Sequence, residues 1–347
     1  NILIPIETCS RELLYKVYLC NLLAENGFTC YLGSKPQIIY LMKSLSNYIY
    51  LDKGYHEGVS DILYRVVKKN NGLIVSLDEE GGVDFSNHQT LMSRYSKPLF
   101  DSANLIFLWG SKQKKIASTN ISNFDNVKVS GHPRFELLKP EYQYLYSKEV
   151  DKIKIKYGSF ILINTNMGFG NNIKGDDFVK ENYGGRFNNI EGLISFDKDK
   201  LSSFCSLVIS LSQEIFSTVV IRPHPEENLD YYINAFKGIN SVKIVRSGSV
   251  VPWIIAAKSI IHPDCTTAIE CLFLGKIPLS FLPKNYPKDQ VTSITLQASN
   301  CFTCEKDIIY FLNNNFHSHE KIHWKNYPFA QDYFSYSKTS MSLIVRE

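Results

Sequence analysis

Short apolar runs rich in isoleucine, leucine and valine recur along this chain, and segments with helical spacing lie between them. That alternation constrains the fold more than any other feature. Strands separated by helices pair in parallel, and a parallel sheet needs helices on both faces. In the first half, strands are expected at 2–6, 29–32, 48–51, 72–76, 105–109 and 127–130. Ser10 to Asn26 reads as an amphipathic helix with Leu13, Leu14, Val17, Tyr18 and Leu22 on its apolar side, ended by Gly27.

The segment from Gly131 to Asp151 interrupts the rhythm with two prolines and a charged, tyrosine-rich stretch, as a connection between domains does. The scheme then resumes. Strands are expected at 160–164, 219–222, 242–245, 259–262 and 278–282, and helices at 201–216, 229–236, 251–257 and 267–274. The polar, glycine-rich stretch 165–189 reads as one long loop, a length that is uncommon without a function. At 347 residues the chain exceeds what one core usually holds. The expectation is an α/β protein with two Rossmann-like domains facing a cleft. The first spans 1–140, a linker 141–150, the second 151–320, and 321–347 return to the first.

Composition excludes several classes. Hydrophobic residues at 44% and charged residues at 21% are ordinary for a folded domain. A net charge of +4, with basic residues dispersed, does not make a nucleic-acid face. It favours an anionic ligand or loose contact with an acidic membrane surface. No apolar run approaches the ~20 residues that span a bilayer, and the first residues lack a signal-peptide pattern. The expected location is the cytoplasm, with peripheral association at the inner membrane face. Several of the eight cysteines sit inside apolar runs, as reduced, buried cysteines do, and a disulfide framework is not expected.

In open parallel sheets, ligands bind beyond the carboxyl ends of strands, and the suspicious residues fall there. Asp78-Glu79-Glu80-Gly81-Gly82 follows a strand. Three adjacent carboxylates repel, which raises at least one pKa and suits it to proton transfer; a solvated acidic turn is the plain alternative. Val219-Val220-Ile221 runs into Arg222-Pro223-His224-Pro225, where two prolines fix the direction of His224. Arginine and histidine suit a phosphate and a leaving group.

His262-Pro263-Asp264-Cys265-Thr266-Thr267 leads from a strand into a helix, a natural phosphate position, with Glu270 one turn in to hold ribose hydroxyls. Thr267 and Glu270 also have capping-box spacing, which needs no ligand. Asn164-Thr165-Asn166-Met167-Gly168 ends another strand and can line a sugar pocket, with Asp176, Asp177, Lys180 and Arg186 nearby. Glu7, with Arg11 and Glu12, follows the first strand; a helix-terminal acid with a surface ion pair explains it equally. Cys301 and Cys304 with His317 and His323 match zinc-finger spacing. A helix running through the intervening residues makes this an accidental match.

Together these residues resemble bacterial surface-carbohydrate biosynthesis proteins, and through them the GT-B sialyltransferases and Kdo transferases. The resemblance rests on Glu79-Glu80-Gly81, His224-Pro225 and Thr266-Thr267. Ile4-Pro5-Ile6-Glu7, Arg11-Glu12-Leu13 and Gly131-His132-Pro133-Arg134-Phe135 extend it. It implies a GT-B-like fold and a glycosyltransferase moving a Kdo or sialic-acid-like sugar from a CMP-activated donor to a glycan or glycolipid acceptor. Glu80, then Glu79, is the expected base. Arg222, His224, Pro225, Thr266, Thr267 and Glu270 form the donor site. Glu7, Arg11, Asn164, Asn166 and Arg186 contact sugar or acceptor. No metal or cofactor is expected, because CMP carries one phosphate and leaves readily. Similar His-Pro and Ser/Thr elements occur in CDP-glycerol-dependent polyol-phosphate transferases, and a related two-domain plan serves UDP-N-acetylglucosamine 2-epimerases. These are the alternative readings, with a non-catalytic carbohydrate-binding protein as a third.

Overall fold

The computed structural model describes all residues except 83, 85–87, 120, 188, 216, 284, 288, 289 and 316–322; the side chains of Gln89 and Arg186 also fall outside the described part. The chain divides into two compact units, Asn1–Tyr142 with Lys325–Glu347, and Gln143–Trp324. Each contains one six-stranded sheet, and every strand pairing is parallel.

The strands of the first unit are β1 (Ile2–Ile6), β2 (Cys30–Ser34), β3 (Ile49–Asp52), β4 (Leu73–Leu77), β5 (Leu105–Leu108) and β6 (Val127–Val129), in the order β2-β1-β3-β4-β5-β6. The second unit contains β7 (Phe160–Asn164), β8 (Thr218–Arg222), β9 (Val242–Ile244), β10 (Ser259–His262), β11 (Leu279–Phe281) and β12 (Asn300–Phe302). Their order is β12-β11-β10-β7-β8-β9. Read from β9, this is the 3-2-1-4-5-6 order of a Rossmann sheet. The order reverses at β1/β3 in the first unit and at β7/β10 in the second.

The second sheet shows why its strands read as unbroken apolar runs. Ile161, Ile163, Val219, Ile221 and Ile261 face one layer, against Phe204, Leu207 and Leu211. Their neighbours Phe160, Leu162, Val220 and Ile260 face the other, against Trp253, Ile254 and Cys271. A strand covered on both sides needs apolar side chains at every position. Full burial of each contributes roughly 1.5–3 kcal/mol.

Four sequence expectations change. The segment 165–189 contains a helix, Gly175–Tyr183. The helix after it runs over Ile190–Glu214, much longer than expected, because Asp197 and Lys200 occupy buried positions on it. In Cys9–Glu25 the inward face carries Glu12, Tyr15, Lys16, Leu19 and Leu23, while Leu13, Leu14 and Val17 are exposed. Only Cys265 and Cys271 are buried among the cysteines; Cys9, Cys301 and Cys304 are exposed.

Residues 325–347 complete the first unit. Gln113 Nε2 donates to the Tyr333 carbonyl at 3.1 Å, and the Met341 N–H donates to Glu136 at 2.8 Å. Phe334 packs on Trp109 and Phe135. Gly110 is required here, since a Cβ would overlap the Asp332 carbonyl.

Candidate functional site

In the second unit the strand order reverses between β7 and β10, and open α/β sheets receive ligands beyond the carboxyl ends of the strands at such a reversal. Asn164 ends β7, in register with Arg222 at the end of β8. Asn164 Nδ2 donates across the reversal to the Thr267 hydroxyl at 3.2 Å. His262 ends β10 fully buried, with Nε2 2.9 Å from the Ser299 hydroxyl and Nδ1 accepting from the Cys265 N–H. Burial pushes its imidazole down to about 3, so it stays neutral.

The loops after β7 and β8 are joined by Glu227, which is completely buried. Its carboxylate accepts from the Thr165 hydroxyl at 2.8 and 2.9 Å, from the Met167 N–H at 2.9 Å, from the His224 N–H at 3.3 Å and from the Tyr232 hydroxyl. His224 is partly exposed, and its Nδ1 accepts from the Glu226 N–H at 3.3 Å. A neutral imidazole bonded this way carries its proton on Nε2, which suits donation to an oxyanion. Gly168 comes close, since a Cβ there would lie 3.5 Å from His224 Nδ1. Pro225 is exposed beside it.

Arg222 is used differently from the phosphate contact expected of it. Its guanidinium donates to the carbonyls of Ser247 at 2.9 Å and Gly248 at 2.8 Å, and it lies over the Trp253 ring. Burial lowers its pKa to about 10. Thr267 is the first residue of its helix and Thr266 the cap, whose side chain makes no capping bond, so the capping-box spacing of Thr267 and Glu270 is not used as one. Glu270 is buried. Asn166 offers its carbonyl to Lys200 at 3.5 Å. Asp176 pairs with Lys198 and Lys180 with Glu191 across a shallow groove of about 220 Å³. The Arg186 side chain and His317 lie outside the described residues.

In the first unit, the three adjacent acids after β4 are separated rather than left to repel. Asp78 binds Arg94; burial alone would raise its carboxyl, but the guanidinium holds it below the usual range. Glu79 is buried, 3.0 Å from Lys16 Nζ, accepting from the Tyr15 hydroxyl, with His132 Nε2 at 3.7 Å. Glu80 is half-buried between Arg94 at 3.3 Å and Arg11 at 3.6 Å. The mutual repulsion is thus offset by cations: Arg94 lies between Asp78 and Glu80, while Lys16 faces Glu79.

The ion pairs continue to the order reversal at β1/β3. Lys53 Nζ lies 2.6 Å from Glu7 and 2.9 Å from Glu12, and Lys35 lies 2.6 Å from Glu7. Burial opposes ionisation of Glu12, yet Lys16 and Lys53 hold its pKa at about 2. His132 is caged by Tyr15, Trp109 and Phe135, and burial keeps its pKa well below 6.5. No group of three or more His, Cys, Asp or Glu side chains suited to a metal occurs among the described residues.

No protein-family model matches the chain, and no curated protein does. Among solved structures, the UDP-GlcNAc 2-epimerase of Methanocaldococcus jannaschii aligns with a TM-score of 0.61 at 10% identity, covering 99% of this chain and 97% of its own. The Neisseria meningitidis UDP-GlcNAc 2-epimerase bound to UDP-GlcNAc aligns at 0.59 and 12%, covering 99% and 98%. The wall teichoic acid polymerase TagF with CDPG aligns at 0.60 and 9%, covering 99% and 86%. The fold is therefore GT-B-like α/β with two Rossmann-like domains.

Glu227 has no role among the expected site residues, and His132 enters there only as part of the resemblance. Glu227 sits beside Glu226 in a polar run, and nothing in its neighbours marks it as the buried member. His132 lies in a short His-Pro segment that resembles the one containing His224, yet the first is enclosed and the second partly exposed.

Proposed function

We propose that this protein is a carbohydrate-active enzyme of surface-glycan assembly that binds a nucleotide-activated substrate in its second unit. The observation that carries this is His224. Two prolines and the Glu227 carboxylate fix its backbone beside the sheet reversal, and its Nδ1 bond leaves Nε2–H to donate to a phosphate oxygen. Thr267 and Asn164 supply further hydrogen bonds, with Thr266 and Glu270 beside them. Arg222 acts from behind, holding the 246–248 segment.

The favoured substrate is a nucleoside diphosphate derivative, because the similar folds include one bound to UDP-GlcNAc and one with CDPG. In polyol-phosphate transfer, an acceptor hydroxyl forms a bond to the distal phosphorus, the bond to the nucleoside monophosphate breaks, and CMP leaves with His224 donating to its phosphate. The hydroxyl proton passes to a general base, for which Glu80 before Glu79 is the proposed residue, and Glu7 and Arg11 are proposed acceptor contacts. The exposed Leu13, Leu14 and Val17 support contact with a membrane-borne acceptor; no helix among the described residues is long and apolar enough to cross a membrane.

A second reading, transfer of an ulosonic sugar from a CMP donor, is favoured by the Glu79-Glu80-Gly81, His224-Pro225 and Thr266-Thr267 elements. Calorimetry with UDP, CDP and CMP separates the readings. Preference for UDP, followed by a configurational change at C2 of UDP-GlcNAc, selects an epimerase. Preference for CDP, with CMP release from CDP-glycerol, selects a polyol-phosphate transferase. Preference for CMP selects the ulosonic transferase. Binding of none of the three would overturn the nucleotide site and leave a carbohydrate-binding protein.

A further inference from the structure

Lys200 is a buried charge with no part in the chemistry above. It lies on the inward face of the helix Ile190–Glu214 and is 3% exposed. Its Nζ is 2.7 Å from Asp197 Oδ1, 3.3 Å from Asp264 Oδ1 and 3.5 Å from the carbonyl of Asn166. Asp197 in turn accepts from the N–H groups of Phe169 at 2.9 Å and Gly170 at 3.3 Å through its other oxygen. Gly170 packs so closely that a Cβ would meet the Lys198 backbone at 2.6 Å.

Two side chains of one helix, three residues apart, thus hold both loops that flank the sheet reversal. Asn166, Phe169 and Gly170 belong to the loop after β7, and Asp264 to the loop after β10. A buried ammonium is costly unless paired, and removing it leaves two buried carboxylates facing each other without their shared cation. Such a group sets the distance between the elements it joins.

We propose that Lys200 is a positioning residue that fixes the spacing of the loops after β7 and β10, and thereby the fit of the proposed site to a nucleotide-linked substrate. The substrate part rests on the function proposed above; the loop part does not. A residue acting this way should influence affinity without touching ligand, because small displacements of binding groups cost roughly tenfold or more.

The experiment uses the full chain with Lys200→Met, Lys200→Arg, Asp264→Asn and the Lys200→Met/Asp264→Asn double variant. Amide hydrogen exchange is followed at Phe169, Gly170 and 264–267, with β7 and β8 as internal reference, and UDP and CDP binding by calorimetry. Lys200→Met should accelerate exchange in both loops roughly tenfold and weaken the bound nucleotide by a similar factor, leaving the strands protected. Lys200→Arg should stay near wild type. The double variant should recover part of the loss, since neutralising one carboxylate removes the repulsion; general loosening of the core would not be reversed this way. If Lys200→Met does not fold, Asp264→Asn decides: exchange should rise at 264–267 and stay low at Phe169 and Gly170. Unchanged exchange in the loops overturns the positioning role. A wild-type protein that binds neither nucleotide overturns the proposed function instead, while the exchange result still judges Lys200.

Discussion

Thr165 and Glu227, 62 residues apart, meet in the interior of the second unit, the hydroxyl lying 2.8 and 2.9 Å from the two carboxylate oxygens. The same hydroxyl oxygen accepts from the His224 N–H at 3.3 Å. The pair joins the ends of β7 and β8 and leaves the His224 backbone little freedom. Glu227→Gln keeps the shape but replaces an acceptor with an amide donor beside the Met167 N–H or the Tyr232 hydroxyl. Chemical denaturation should show a loss of about 1.5–3 kcal/mol. A loss under half a kilocalorie would mean that the carboxylate is not the organising group.

His224 and Arg222 should separate by readout. His224→Ala should weaken nucleotide binding, measured by calorimetry, with little change in melting temperature, because the side chain is partly exposed. Arg222→Lys should lower the melting temperature, since lysine cannot serve two carbonyls and the Trp253 face together. Equal loss of affinity in both variants would return Arg222 to the phosphate.

Glu80 and Glu79 give opposite expectations. Glu80→Gln should fold normally and lower turnover by ~10²–10⁴-fold if it takes the acceptor proton. Glu79→Gln should destabilise instead, because it leaves the buried Lys16 with less charge to face. Near-normal turnover in both variants would remove the acidic segment from catalysis.

Acidification should weaken the fold through its buried histidines. His262 titrates near 3 when folded and 6.5 as its ordinary value, and His132 also lies well below 6.5. Between those values the unfolded chain binds more protons, so stability falls as pH drops from 6.5 toward 3. Asp52 works the other way: burial raises it from 3.8 to about 6, so its contribution is greatest at low pH and fades as pH rises to 6. The histidines span the wider window, and the net slope should follow them. His262→Asn retains an acceptor for the Cys265 N–H and should flatten the acid limb in thermal melts. An unchanged limb would exclude His262 as its source.

The sheets were legible because strands buried on both faces demand apolar residues throughout, as in 160–164 and 219–222. Charged residues inside were not. Glu12 and Lys16 neutralise each other on the buried side of Cys9–Glu25, so the apolar pattern of Leu13, Leu14 and Val17 pointed to the wrong face. Asp197 and Lys200 concealed the start of the long helix for the same reason. Site residues at strand ends could be located by motif, but partners are set by distance in space. Glu79 and Glu80 look alike in sequence, yet one is enclosed in the interior and the other half-exposed between two arginines.

The return of residues 325–347 to the first unit gives the chain an order of assembly. All of the second unit emerges from the ribosome before the segment that carries Tyr333, Phe334 and Met341. Until then Trp109 and Phe135 lack the Phe334 ring that packs on them, and Glu136 lacks the Met341 N–H donor. The second unit, continuous in sequence, can mature first, and the first unit must wait with part of its interior open. Nascent chains stalled before residue 325 should therefore expose that apolar surface to chaperones, although most of their sequence has already been made.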